Sequence, residues 1–152
     1  MSFGCGVGDF IAVGSLALRL YVSYREGPND YRELTRELLS LHTTLEQLRS
    51  DTEDSDSILA RCSPKKLSKL EGIVGRCSEA LLELDDICNK YIRLEGVKKR
   101  DCWKRLKFGK ENIDGIRHNL GMHLRTIQLF LTSVTQYASH LHGLLVSRVN
   151  GY

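Results

Sequence analysis

Cysteine and histidine are the residues of this chain best equipped for chemistry, and their spacing decides what they could do. The five cysteines are Cys5, Cys62, Cys77, Cys88 and Cys102. No pair has the CxxC spacing of redox and zinc motifs, and an odd, scattered set makes no disulfide framework. The pattern predicts a reducing compartment. His118 and His123 are off the spacing that stacks two ligands on one helix face, so no metal site is expected. His42, His118, His140 and His142 lie at or near apolar rows, without a serine or cysteine nucleophile at a motif spacing. His123 falls within an apolar row, where plain packing outweighs a buried polar or pH-sensitive role. Asp85-Asp86 is an acidic pair, but adjacent side chains on a helix point apart and cannot address one substrate. Gly4-Cys5-Gly6-Val7-Gly8 is GxGxG rather than GxGxxG, with no strand before it and no phosphate-binding lysine. The constellation of an enzyme is missing, so neither an enzymatic activity nor a cofactor is expected.

What these residues sit on follows from composition. The 152 residues are enough for one domain with its own core. Hydrophobic residues make up 41% and charged residues 27%, which excludes a disordered chain. Pro28 and Pro64 are the only prolines, and a chain so poor in breakers favours long helices. A net charge of +3, from 22 basic and 19 acidic residues, is too even for a dedicated nucleic-acid binder.

Apolar periodicity predicts four helices, over residues 9–25, 30–49, 64–94 and 111–146. The second carries an unbroken heptad seam of Tyr31, Leu34, Leu38, Leu41, Leu45 and Leu48. The third starts at Ser63-Pro64, an N-cap followed by a proline in the first turn. Its seam runs Leu67, Leu70, Val74, Cys77, Leu81, Leu84, Cys88 and Tyr91, widened by Ile73, Ala80 and Ile87. The last helix repeats the pattern at Ile113, Ile116, Leu120, His123, Ile127, Phe130, Val134, Tyr137, Leu141 and Leu144, its face broadened by the neighbouring row Leu124, Leu131, Ala138 and Leu145. Residues 51–56 are acidic and read as a solvated loop, and 101–107 as a short extra helix. No alternating strand pattern occurs. The expected fold is all-α, a single up-and-down four-helix bundle over 1–152.

Two stretches invite a functional reading. The first helix, with Asp9 as its expected N-cap, is apolar on nearly every face. Phe3, Val7, Phe10, Ile11, Val13, Leu16, Leu18, Leu20 and Tyr21 suit a central core helix, or one that leaves the bundle for a membrane or a partner. From Asp9 to Tyr24 it would span roughly 24 Å, short of a hydrocarbon core of ~30 Å, whereas from Phe3 it would reach roughly 33 Å, so a constitutive span is marginal and an insertable one stays open. No positive n-region precedes it, which argues against a signal peptide, and Ser2 excludes myristoylation. The second stretch is basic: Lys98, Lys99, Arg100, Lys104, Arg105 and Lys107, with Trp103 among them. It reads as a solvated connector, next as a patch for anionic lipid headgroups, and last as a nucleic-acid contact, since one short patch gives few phosphate contacts.

The opening Ser2-Phe3-Gly4 with Val7-Gly8-Asp9-Phe10-Ile11-Ala12-Val13 resembles the start of the N-terminal domains of fungal STAND/NOD-like receptors. Tyr31-Arg32-Glu33-Leu34, Glu37-Leu38-Leu39-Ser40-Leu41 and Trp103 with Gly109-Lys110-Glu111-Asn112-Ile113 fit the same pattern, as do His123 and Ile127. The resemblance covers Ser2 to about Val134 and is to HeLo-like and SesA-like helical cell-death domains. It implies a cytoplasmic bundle that triggers regulated cell death and relocates to the plasma membrane on activation. It further implies homo-oligomers or helical domains of related proteins as partners, anionic lipids as a target, and membrane attack by the segment from Phe3 to Tyr24. A nucleotide-binding module is expected downstream in such proteins, and 152 residues hold none, which leaves a receptor's N-terminal piece or a stand-alone bundle. The alternative function is a helical interaction module that never meets a membrane.

Overall fold

The computed structural model describes residues 7–25, 29–93 and 110–151. Among the described residues four helices carry the fold: α1 (Val7–Tyr24), α2 (Arg32–Glu53), α3 (Pro64–Arg93) and α4 (Lys110–Val149). Single 3₁₀ turns at Asn29–Tyr31 and Leu59–Arg61 precede α2 and α3, and no strand occurs among the described residues. The all-α bundle read from the sequence is therefore the fold.

Each helix packs against two others. α1 lies against α2 and α3, and α4 against the same two. Side-chain pairs give the directions. Tyr24 meets Tyr31 and Gly14 meets His42, so α1 and α2 run antiparallel. Lys66 meets Tyr137, and His123 lies near Arg76 and Glu79, so α3 and α4 also run antiparallel. Arg117 pairs with Glu33, and Gly121 lies against Glu37, so α2 and α4 are parallel. That is an up-and-down square bundle with α2 and α3 across one diagonal.

The core is built from the seams. All six seam positions are buried: Tyr31 in the 3₁₀ turn, and Leu34, Leu38, Leu41, Leu45 and Leu48 in α2. In α3, Leu70, Val74, Cys77, Leu81, Leu84 and Cys88 are buried, while Leu67 is half-buried. No polar or charged side chain is buried among the described residues. Burial pushes the Cys77 thiol up to about 12, with Arg76 pulling weakly the other way. Such a thiol is a packing group, not a nucleophile.

Four local expectations are corrected. α1 begins at Val7, so Asp9 stands inside the first turn, where its charge still suits the helix dipole, rather than at the N-cap. α2 runs on to Glu53 and takes the start of the acidic loop with it. Gln47 donates to Asp51 at 2.8 Å and Arg49 pairs with Glu53 at 3.1 Å, one helical turn apart. These contacts give charged residues a reason to stay helical. The loop proper is Asp54–Ser63, pinned by buried Leu59 and by Ser57, which donates to the Asp51 carbonyl and accepts from Ala60 N–H. The third correction is in α4, where His123 of the expected seam is half-exposed and Leu124 of the neighbouring row is buried as its apolar placement implied. A helix of ~3.6 residues per turn drifts against a strict seven-residue repeat, and the inward position slips by one. The fourth is the end of α4, where Tyr137, Leu141 and Leu144 are exposed. The expected helix at 101–107 and the end of α3 at Gly96 lie outside the described residues. Ser63 does cap α3, accepting from Lys66 N–H at 3.4 Å.

Candidate functional site

The first helix, singled out from sequence, is docked. Its buried residues are Phe10, Val13, Ala17, Leu20 and Tyr24, spaced as an ordinary heptad seam. Leu16 and Tyr21 pack half-buried at its flanks, whereas Ile11 and Leu18 face out, with Val22 beside them. Phe3 and the Val7 side chain lie outside the described residues.

Polar contacts hold α1 along its length. Arg19 makes a two-pronged pair with Asp85 on α3, 3.1 Å on each arm. The Tyr24 hydroxyl donates to the Leu84 carbonyl at 3.2 Å. Burial, with Cys88 beside it, pushes its ionisation well above the ordinary phenol range. The His42 Nδ1–H donates to the Gly14 carbonyl at 2.9 Å. A Cβ at Gly14 would meet Leu45 at 3.5 Å, an ordinary contact, so the turn has room for a methyl group and little beyond it.

The basic residues Lys98, Lys99, Arg100, Lys104, Arg105 and Lys107, with Trp103, lie outside the described residues. The histidines do not assemble into a centre. Among the described residues no group of three or more His, Cys, Asp or Glu could hold a metal ion. No described helix is long and apolar enough to cross a membrane.

The concave feature lies elsewhere, where α4 outruns its neighbours. α4 has 40 residues and α2 has 22. At ~1.5 Å per residue those are roughly 60 and 33 Å. A groove of about 550 Å³ runs between the far half of α4 and the stretch leading into α3. Ile58, Cys62, Val134, Tyr137, Leu141 and Leu145 give it apolar walls. Lys66 closes one side, its Nζ 4.5 Å from the centre of the Tyr137 ring. A second, smaller hollow of about 320 Å³ continues it past Val134 and Thr135, between Leu131 and the acidic lip of Asp51, Asp54 and Asp56. Beyond the groove Leu144, Leu145, Val146 and Val149 are all exposed, Val149 by 77%. That is a contiguous apolar surface rather than scattered single residues.

Residues 7–146 match the family described as pigment biosynthesis cluster protein PigL N-terminal, a fungal-associated family. The chain belongs to the PigL_N family. The match takes in all of α1 to α3 and α4 through Val146, so the groove is part of the PigL_N domain and not an appendage to it. No curated protein and no solved structure matches the chain.

Sequence reasoning placed Tyr137, Leu141 and Leu144 in the PigL_N core and passed over Ile58, Cys62 and Lys66. A signal was available in helix length. The seam of α4 has ten predicted positions and that of α2 has six, so α2 could not cover it.

Proposed function

We infer that this chain is a non-enzymatic association module, which recognises a helical partner through the uncovered end of α4. The observation that carries this reading is continuity. The seam that packs α4 inside the bundle at Ile116, Leu120, Leu124 and Ile127 runs on, uncovered, through Tyr137, Leu141 and Leu144. A helix face of this kind is the element used in helix-in-groove recognition. A photo-cross-linker at Leu145, in the chain expressed in its own cells, tests it. Discrete adducts identified by mass are expected, absent when the probe sits at Leu82 on the outer face of α3. The lack of any adduct specific to Leu145, the chain itself included, overturns the reading.

A second reading is the cell-death role implied by the resemblance to HeLo-like domains of fungal NOD-like receptors, with α1 as the membrane-active element. It is favoured by the outward apolar residues Ile11, Leu18 and Val22 on α1. Magnitudes rank it second. Withdrawing α1 exposes Phe10, Val13, Leu20 and Tyr24, at about 2 kcal/mol each or on the order of 8 kcal/mol together. That is comparable with a whole domain's stability, about 5–15 kcal/mol. Release of α1 thus requires a trigger, such as clustering. Dye release from anionic vesicles by the artificially clustered chain is the expected result under this reading. Intact vesicles under the same clustering discard it.

A further inference from the structure

We propose that the occupant of the α4 surface is a second copy of this chain, bound antiparallel about a two-fold axis near Leu141. The proposal rests on the association reading above and names its partner.

The first argument is self-complementarity. A two-fold axis requires one patch to match itself. With the axis near Leu141, Tyr137 of one copy falls opposite Leu145 of the other, and Leu141 meets its own counterpart. Every one of these residues is exposed in the single chain.

The second argument is charge. From Gly115 to Tyr152 the chain contains no aspartate or glutamate. Arg148 follows Leu141 by seven residues and so lies on the same stripe of the helix. It forms no ion pair among the described residues. The antiparallel arrangement sets Arg148 of the second copy opposite Val134 and Thr135. That turn borders the hollow whose rim is Asp51, Asp54 and Asp56. Each copy therefore offers a cation at the end of α4 and an acidic lip one interface-length away, which fixes the antiparallel direction. A parallel pair would bring two Arg148 side chains together and leave both lips unanswered.

The third argument is size. The stripe from Val134 to Val149 is roughly 24 Å long, which buries on the order of 500 Å² a side. That is below the standard class of stable interfaces, and the pair should form and dissociate with concentration.

Sedimentation equilibrium of the whole chain, from roughly 1 to 300 µM, tests this. The mass is expected to rise from 17.2 kDa toward twice that value. Leu141→Asp, at an exposed site, should hold the mass at the monomer value while the helical circular dichroism stays unchanged. The decisive arm is a charge exchange. Asp56 carries no side-chain hydrogen bond or ion pair among the described residues, so reversing it leaves the fold intact. Arg148→Glu alone and Asp56→Arg alone should each weaken self-association about tenfold. Their equimolar mixture should recover it, because the mixed pair has both contacts in order. A wild-type mass fixed at the monomer value across the range overturns the proposal, as does a mixture no more associated than its components. Either failure, with Leu145-specific adducts to another protein still formed, removes only the second copy and leaves the association reading standing.

Discussion

The Nδ1 nitrogen of His42 lies 2.9 Å from the main-chain carbonyl oxygen of Gly14, joining α2 to the middle of α1. A carbonyl can only accept, so the imidazole carries its proton on Nδ1 there. The two helices lie close at this turn, since a Cβ on Gly14 would be in contact with Leu45 at 3.5 Å. The bond and the glycine thus describe one feature, a close helix crossing with a polar pin through it.

Two substitutions separate the parts of that crossing. His42→Ala should cost about 1 kcal/mol, the ordinary net value of one hydrogen bond. Gly14→Ala finds only ordinary contact distances and should be neutral or mildly stabilising, since alanine is the better helix former by about 1 kcal/mol. Gly14→Leu must push α1 from α2 and should cost ~3 kcal/mol, within the overpacking range. Urea denaturation of the three variants reads all of this, and a Gly14→Leu protein as stable as wild type would contradict the close crossing.

The Arg19–Asp85 clamp is open to a double-mutant cycle. Arg19 is well exposed and Asp85 mostly covered, with 59% and 16% of their side chains accessible. Solvent screening at the arginine limits the coupling to about 0.5–1 kcal/mol. Arg19→Ala, Asp85→Ala and the double variant should give a coupling in that range that shrinks in high salt. A coupling indistinguishable from zero at low salt would mean that the pair does not hold α1.

Glycines with open space around them offer stabilising changes. A Cβ on Gly75 or Gly115 meets nothing within 4 Å. Replacing each with alanine should add about 1 kcal/mol, and roughly 2 kcal/mol together because the sites are independent. For a chain of this size that is about 6 °C in Tm. Calorimetry of the double variant checks it, and an unchanged or lowered Tm counts against an open, helical backbone at both sites.

His123 gives a pH dependence with a definite sign. Partial burial, aided by Arg76 and opposed by Glu79, lowers its pKa from 6.5. The unfolded chain then takes up the proton first as pH falls. Stability from the neutral ring is complete above the unfolded pKa and declines as pH falls from 6.5 toward the lower folded value. His123→Gln should flatten the stability profile in that window, measured by denaturation at successive pH values. A wild-type profile that rises on acidification there would reverse the sign.

How much of this was legible depended on contrast within each helix. In α2 the seam leucines stand among charged and polar residues, so period alone found every buried position. In α1 the same spacing was hidden, because Ile11, Leu18 and Val22 on the outer face are as apolar as Phe10 and Leu20 within. A pattern can be read only where the opposite face differs from it. The slip from His123 to Leu124 has another cause, the mismatch between a heptad and the true helical pitch. The groove was missed because periodicity reports a face that wants cover and is silent on whether a neighbour reaches it. The carboxylates of α2's last turn read as loop because their stabilising partners, Gln47 and Arg49, lie one turn earlier.

The almost wholly apolar interior has a consequence for how this fold can vary. Leucine seams interchange with isoleucine or methionine at costs usually below about 1.5 kcal/mol, provided that volume is kept. Apolar contacts alone distinguish poorly between one alignment of the helices and another. That discrimination falls to a few polar contacts: the Arg19–Asp85 pair, the His42 imidazole at Gly14 and, within the core, the buried Tyr24 hydroxyl on the Leu84 carbonyl. The apolar contacts are written in synonyms and the polar ones in proper nouns. Chains that share this bundle can therefore diverge widely in spelling inside, and kinship among them is better sought in the handful of polar pairings than in overall identity.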